Sequence, residues 1–151
     1  MRQHSELHFS DDRETAVATL ESIGQGKGWC NVIPDVEDDV PDLQVNFLGM
    51  WSNRGVAMAS LITMPERHGV AQPSSLGLLH SRGRLGRERV AALLDGAPFQ
   101  TRQDHSQRGL VLEVPAGTAA RLILDVMCSL TSSLCDYEMT GTWRLDTYHR
   151  D

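Results

Sequence analysis

The chain has 151 residues, 40% of them hydrophobic and 23% charged, which is enough apolar material for one core without metal or disulfide support. Its formal net charge of -6 argues against nucleic acid or an anionic membrane as a general partner, because both attract broad basic surfaces. Lys27 is the only lysine among 14 basic residues, a bias that a GC-rich genome produces, so arginine abundance alone points to no ligand.

The first residues, 1–9, are polar and read as a lead-in. They lack the apolar core of a signal peptide, and no apolar run approaches a membrane span, so a cytoplasmic location is expected. His4 and His8 are spaced i, i+4, which would let both face one metal on a helix, but nothing in the segment favours a helix. Ser10 or Asp11 followed by Glu14 resembles a capping box, and Val17, Leu20 and Ile23 supply an apolar stripe. A helix over 11–23 follows, stopped at Gly24.

The run Gly24-Gln-Gly-Lys-Gly28 superficially resembles a phosphate loop. A P-loop needs Ser or Thr after its lysine and a strand before it; here a helix precedes and Gly28 follows, so the run reads as a helix end and linker. Residues 29–33 form a short strand candidate, with Trp29 beside the linker as a candidate exposed anchor. The proline-bracketed segment 34–42 then carries five carboxylates, Asp35, Glu37, Asp38, Asp39 and Asp42. Its spacing is not that of an EF-hand, so no metal is expected; a basic protein partner is the functional use such a loop would have.

Residues 43–51 and 56–64 are rich in strand formers and flank turn residues, which predicts a hairpin. A strand over 75–80 leads into Ser81-Arg-Gly-Arg-Leu-Gly-Arg-Glu-Arg89 and a helix over 85–95. A strand, a glycine-containing turn and a helix start can bind an anion on free backbone amides, so Arg82 and Arg84, with Arg108, are anion-site candidates. Residues 99–102 and 109–114 predict a second hairpin around Asp104-His-Ser-Gln-Arg108. Asp104, His105 and the strand-end His80 are the candidate catalytic groups, although adjacent residues rarely build a triad.

Residues 109–145 read as strand, helix, strand. Ala119, Leu122, Ile123, Val126, Met127, Leu130 and Leu134 recur at helical spacing over 118–134, with Thr118 as N-cap. Met139, Gly141, Trp143 and Leu145 then alternate with polar residues, predicting a half-buried strand whose Arg144 and Asp146 could lie at an edge or a homodimer seam. Residues 148–151 read as a polar tail. Cys30, Cys128 and Cys135 show no C-x-x-C spacing and read as reduced thiols. Together these predict a single α/β (α+β) domain over 1–151, in two layers, with about three helices on a mixed sheet of about five or six strands.

The segments Gly28-Trp-Cys-Asn-Val-Ile-Pro, Gln103-Asp-His-Ser-Gln-Arg-Gly-Leu-Val111 and Thr140-Gly-Thr-Trp-Arg144 resemble parts of small actinobacterial proteins of unknown function. That resemblance implies no activity and no site residue. Without a cofactor or catalytic motif, the reading in front is a non-enzymatic interaction protein (adaptor, chaperone or immunity-type inhibitor) using its acidic loop. Its rivals are a regulatory domain holding a small anion at the arginine turn, and an enzyme using His105 or His80. No cofactor is expected.

Overall fold

A computed structural model describes residues 3–42 and 55–150. In chain order its elements are β1 (Gln3–Phe9), α1 (Glu14–Ser22), β2 (Gly28–Val36), β3 (Met58–Ile62), β4 (Ser74–Leu79), α2 (Arg87–Leu94), β5 (Gln100–His105), β6 (Gly109–Val114), α3 (Ala120–Leu134) and β7 (Met139–His149). Among the described residues the strands form one seven-stranded sheet in the order β1-β7-β2-β3-β4-β6-β5. Every ladder is antiparallel. The fold is therefore α+β, but the sheet is antiparallel rather than mixed and larger than the expected five or six strands.

The strand-helix-strand unit explains that difference. Four antiparallel ladders separate β6 from β7, so the two strands do point the same way, as a crossover helix requires. They are not neighbours, however: α3 carries the chain across β4, β3 and β2. A parallel ladder never forms because antiparallel strands fill the gap.

Both chain ends depart from expectation. The lead-in is the edge strand β1, with Leu7 opposite Leu145 and Phe9 opposite Trp143. The first two residues of the tail, Tyr148 and His149, belong to β7, which lies between β1 and β2. Arg144 and Asp146 are thus inside the sheet and not at an edge. Of the first predicted hairpin, 43–51 lies outside the described residues; 56–64 contains β3, which pairs with β2 and β4. The second hairpin forms between β5 and β6, but Asp104 and His105 belong to strand β5 rather than to its turn.

The core follows strand alternation. Cys30 and Val32, Ala59 and Leu61, Leu76 and Leu78, Leu110 and Leu112, with Trp143 and Leu145, are buried on the face that the helices cover. Helix α3 packs on β2 and β3 and is flanked by α1 and α2, so its buried surface is wider than one stripe. It buries Leu124, Cys128 and Thr131 as well as the predicted Ile123, Val126, Met127, Leu130 and Leu134, while Ala119 is exposed and Leu122 stays 38% exposed. Ala119, not Thr118, is its N-cap; the Thr118 hydroxyl donates to the Pro115 carbonyl instead. Likewise α1 starts at Glu14, whose amide donates to Asp12, so the Ser10/Asp11 capping box does not form. No helix among the described residues is long and apolar enough to cross a membrane.

Candidate functional site

Antiparallel pairing sends several connections to one end of the sheet. Phe9 and Pro34 both lie opposite Trp143, Met58 opposite Leu79, and Leu110 near the start of β6 opposite Leu78. The acidic segment, the arginine turn and the connection between α3 and β7 therefore meet at that end. The sequence placed these features far apart; only sheet order brings them together.

At the arginine turn an anion is already present, and it is a side chain. Asp104 on β5 accepts the amide N-H of Leu85 at 2.9 Å and of Gly86 at 2.8 Å, just before α2. Its side chain is only 12% exposed, so those donors are largely shielded from any external anion. Arg84 points outward, 77% exposed, with Nε 4.0 Å from the same carboxylate. Arg82 donates through Nε to Asp136 at 2.8 Å, and the Ser81 hydroxyl donates to the other oxygen of Asp136. The Ser81 hydrogen bond, with Arg82 beside it, holds the Asp136 carboxyl below its ordinary range. Arg108 is exposed and turns its amide to His105.

The candidate catalytic groups do not converge. His80 is fully buried and accepts the Arg82 amide through Nδ1 at 3.2 Å; burial lowers its pKa, keeping the imidazole neutral, against the nearby Asp104 charge. His105 is exposed on the far edge strand, where Nδ1 accepts the amides of Gln107 and Arg108. That is turn chemistry. A cavity of about 420 Å³ is lined by Arg84 and Asp104 with Val90, Leu94 and Phe99, but neither histidine reaches it. Burial pushes the Cys30 and Cys128 thiols up to about 12, which removes both as nucleophiles at neutral pH. No group of three or more His, Cys, Asp or Glu among the described residues could hold a metal.

The acidic segment divides into bound and unbound halves. Asp35, in β2, accepts the Thr142 hydroxyl at 2.6 Å and faces His8 Nδ1 at 3.0 Å. Asp42 accepts from Arg144 Nη2 at 2.6 Å, and Arg144 Nε reaches Asp146 at 3.1 Å. Glu37, Asp38 and Asp39 are exposed, and no ion pair among the described residues includes them. The Glu37 amide donates to the Glu138 carbonyl at 2.9 Å, which sets a fourth exposed acid beside them. Asp11 and Asp12, just beyond β1, lie at the same end. The sequence offered no sign of this company, since Glu138 is a hundred residues away from Asp38.

His8 reports on this end. Hydrogen bonds to Asp35 and then Glu6 raise its pKa above 6.5, since both favour the charged ring. A proton NMR titration should place its midpoint above that value, and Asp35→Asn should bring it down. Folding stability from the charged ring is full below pH 6.5 and is lost as pH rises through the folded-state value.

Trp29 lies within β2 rather than at a linker. It is half-buried and stacked on Tyr148 with ring centroids 5.3 Å apart, and the Arg150 guanidinium lies 5.6 Å from its ring. It serves the sheet face more than it offers an anchor. No protein-family model matches the chain, and comparison with curated proteins and with solved structures returns no match.

Proposed function

We propose that this is a non-enzymatic interaction protein that docks a basic segment of a partner protein at the acidic end of its sheet. The observation that supports the reading is the set of exposed carboxylates without counter-ions among the described residues, Glu37, Asp38 and Asp39, joined by Glu138. Three of the cations at the same end are already engaged, whereas Arg84 points outward from the arginine turn. Arg82 is held by Asp136, Arg144 by Asp42 and Asp146, and Arg13 by Asp125 at 2.6 Å. None of these three pairs with Glu37, Asp38 or Asp39, and Arg84 faces Asp104, so the three acids remain open to a cationic partner. Exposed charges of this kind speed and orient encounter more than they add affinity, and salt weakens them.

The test is association with a defined lysine-rich peptide at low and physiological salt. Replacing Glu37→Gln, Asp38→Asn and Asp39→Asn together should slow association by roughly tenfold or more at low salt. The same number of neutral substitutions at Glu21, Glu66 and Asp95 should have little effect. Equal losses in both variants would reduce the reading to net charge and overturn it.

A further inference from the structure

The opposite end of the sheet holds a cavity of about 470 Å³, within the size range of small-molecule sites. Leu20 from α1, Leu61 from β3, Val114 from β6 and Ile123 from α3 form its floor, and all four are buried. Three chain segments wall it: 24–27 after α1, 63–74 between β3 and β4, and 115–118 before α3. An apolar floor under a polar rim is what an amphipathic small molecule needs.

The walls are preformed. Thr63 is buried, and its hydroxyl shares its one proton between the carbonyls of Ile23 at 2.5 Å and Gly28 at 2.9 Å while accepting the Gly26 amide at 3.0 Å. One side chain thus ties the 24–27 wall to the 63–74 wall. Gly26, at φ +78°, sits so close to Pro65 that a Cβ there would collide with its backbone. Gly26 is explained by this close approach and Gly28 by the carbonyl of Tyr148, which leaves no room for a Cβ, and ligand entry needs no large rearrangement to shape the site.

The charge on the rim sets the ligand class. Lys27, the only lysine of the chain, lines the cavity and forms no ion pair among the described residues. Among the described residues it is also the only cationic side chain in the lining, which includes the acids Glu21 and Glu66 as well. One cation offers a point contact to one anionic head group, and the two carboxylates of the rim repel a doubly charged phosphate about twice as strongly as a singly charged carboxylate. We infer that this cavity binds a small monocarboxylate with an apolar body, its chain on Leu20, Leu61, Val114 and Ile123 and its carboxylate at Lys27. This site is independent of the acidic end.

The experiment uses the full chain and four probes of equal chain length below their micelle concentrations: decanoate, decanol, decylamine and decyl phosphate. Isothermal titration, with methyl NMR shifts of Leu61 and Ile123, should show saturable binding of decanoate. Lys27→Met should weaken decanoate at least tenfold and leave decanol unchanged. Ala71→Trp, at an exposed position of the cavity wall, should block both without lowering the melting temperature. Decylamine or decyl phosphate binding more tightly than decanoate would overturn the inference. So would decanoate binding that is indifferent to both substitutions, or no binding at all by the correctly folded wild type.

Discussion

Gly109→Ala is expected to be the most damaging single-methyl change in the described structure. Gly109 opens β6 at φ +83°, a conformation L side chains rarely adopt, and an added Cβ would run into the carbonyl oxygen of Leu78 on the neighbouring strand. That oxygen is backbone held in a ladder, so it cannot swing aside as a side chain would. Strain at a left-handed position costs about 1–3 kcal/mol, and the collision with a strand adds a comparable amount. The sum of about 2–6 kcal/mol is a large share of a typical domain's total stability. At roughly 2–4 °C per kcal/mol for a chain of this size, melting should fall by roughly 4–24 °C, if soluble protein is obtained at all. A circular dichroism melt within about 2 °C of wild type would show that β4 and β6 do not pair in this register.

The second large effect is expected at Asp104→Ala, and it carries a chemical signature. The carboxylate makes two charge-assisted hydrogen bonds to the Leu85 and Gly86 amides in a site with little solvent. Losing both should cost about 3 kcal/mol, and melting should drop by about 6–12 °C. The variant should then behave as the empty anion site that the arginine turn suggests. Acetate at high concentration should raise its melting temperature more than that of wild type, by filling the vacated position. Arg84→Ala should change little, because an exposed pair at 4.0 Å contributes about 0–1 kcal/mol. Equal acetate responses in Asp104→Ala and wild type would mean that the amides are not the binding groups.

The arginine turn shows how far local pattern reaches. Strand, glycine-containing turn and helix start were all legible, and so was the consequence that free amides there attract a negative charge. What could not be read was the source of that charge. Asp104 is 18 residues from Gly86 along the chain and arrives only through the pairing of β5 with β6 and of β6 with β4. Beside His105 in sequence Asp104 is a candidate catalytic group, whereas the fold makes it a ligand of backbone amides. Arg82 meets the same fate through Asp136, 54 positions away, at the end of the crossover helix.

The acidic segment was visible at once, but its division was not. Asp35 and Asp42 sit beside strands that arrive from the far end of the chain, and they are consumed by Thr142, His8 and Arg144. Glu37, Asp38 and Asp39 follow β2 and stay exposed. The cavity went wholly unseen, since its walls come from segments joined through the hydroxyl of Thr63, a residue with no local motif.

By itself the sequence determined the helices and most strands, because apolar periodicities of 3.6 and 2 are properties of a dozen neighbouring residues. It also determined the buried faces of those elements, the excess of negative charge, and the direction of β7 relative to β6. Sheet order, the promotion of the first residues to an edge strand and of the last to an interior one, and the partner of every charged side chain were decided only in three dimensions. The physical reason is range. Turn and helix preferences act over a few residues, whereas pairing of edges and neutralisation of charges depend on which segments the hydrophobic core draws together, and that core is assembled from the whole chain.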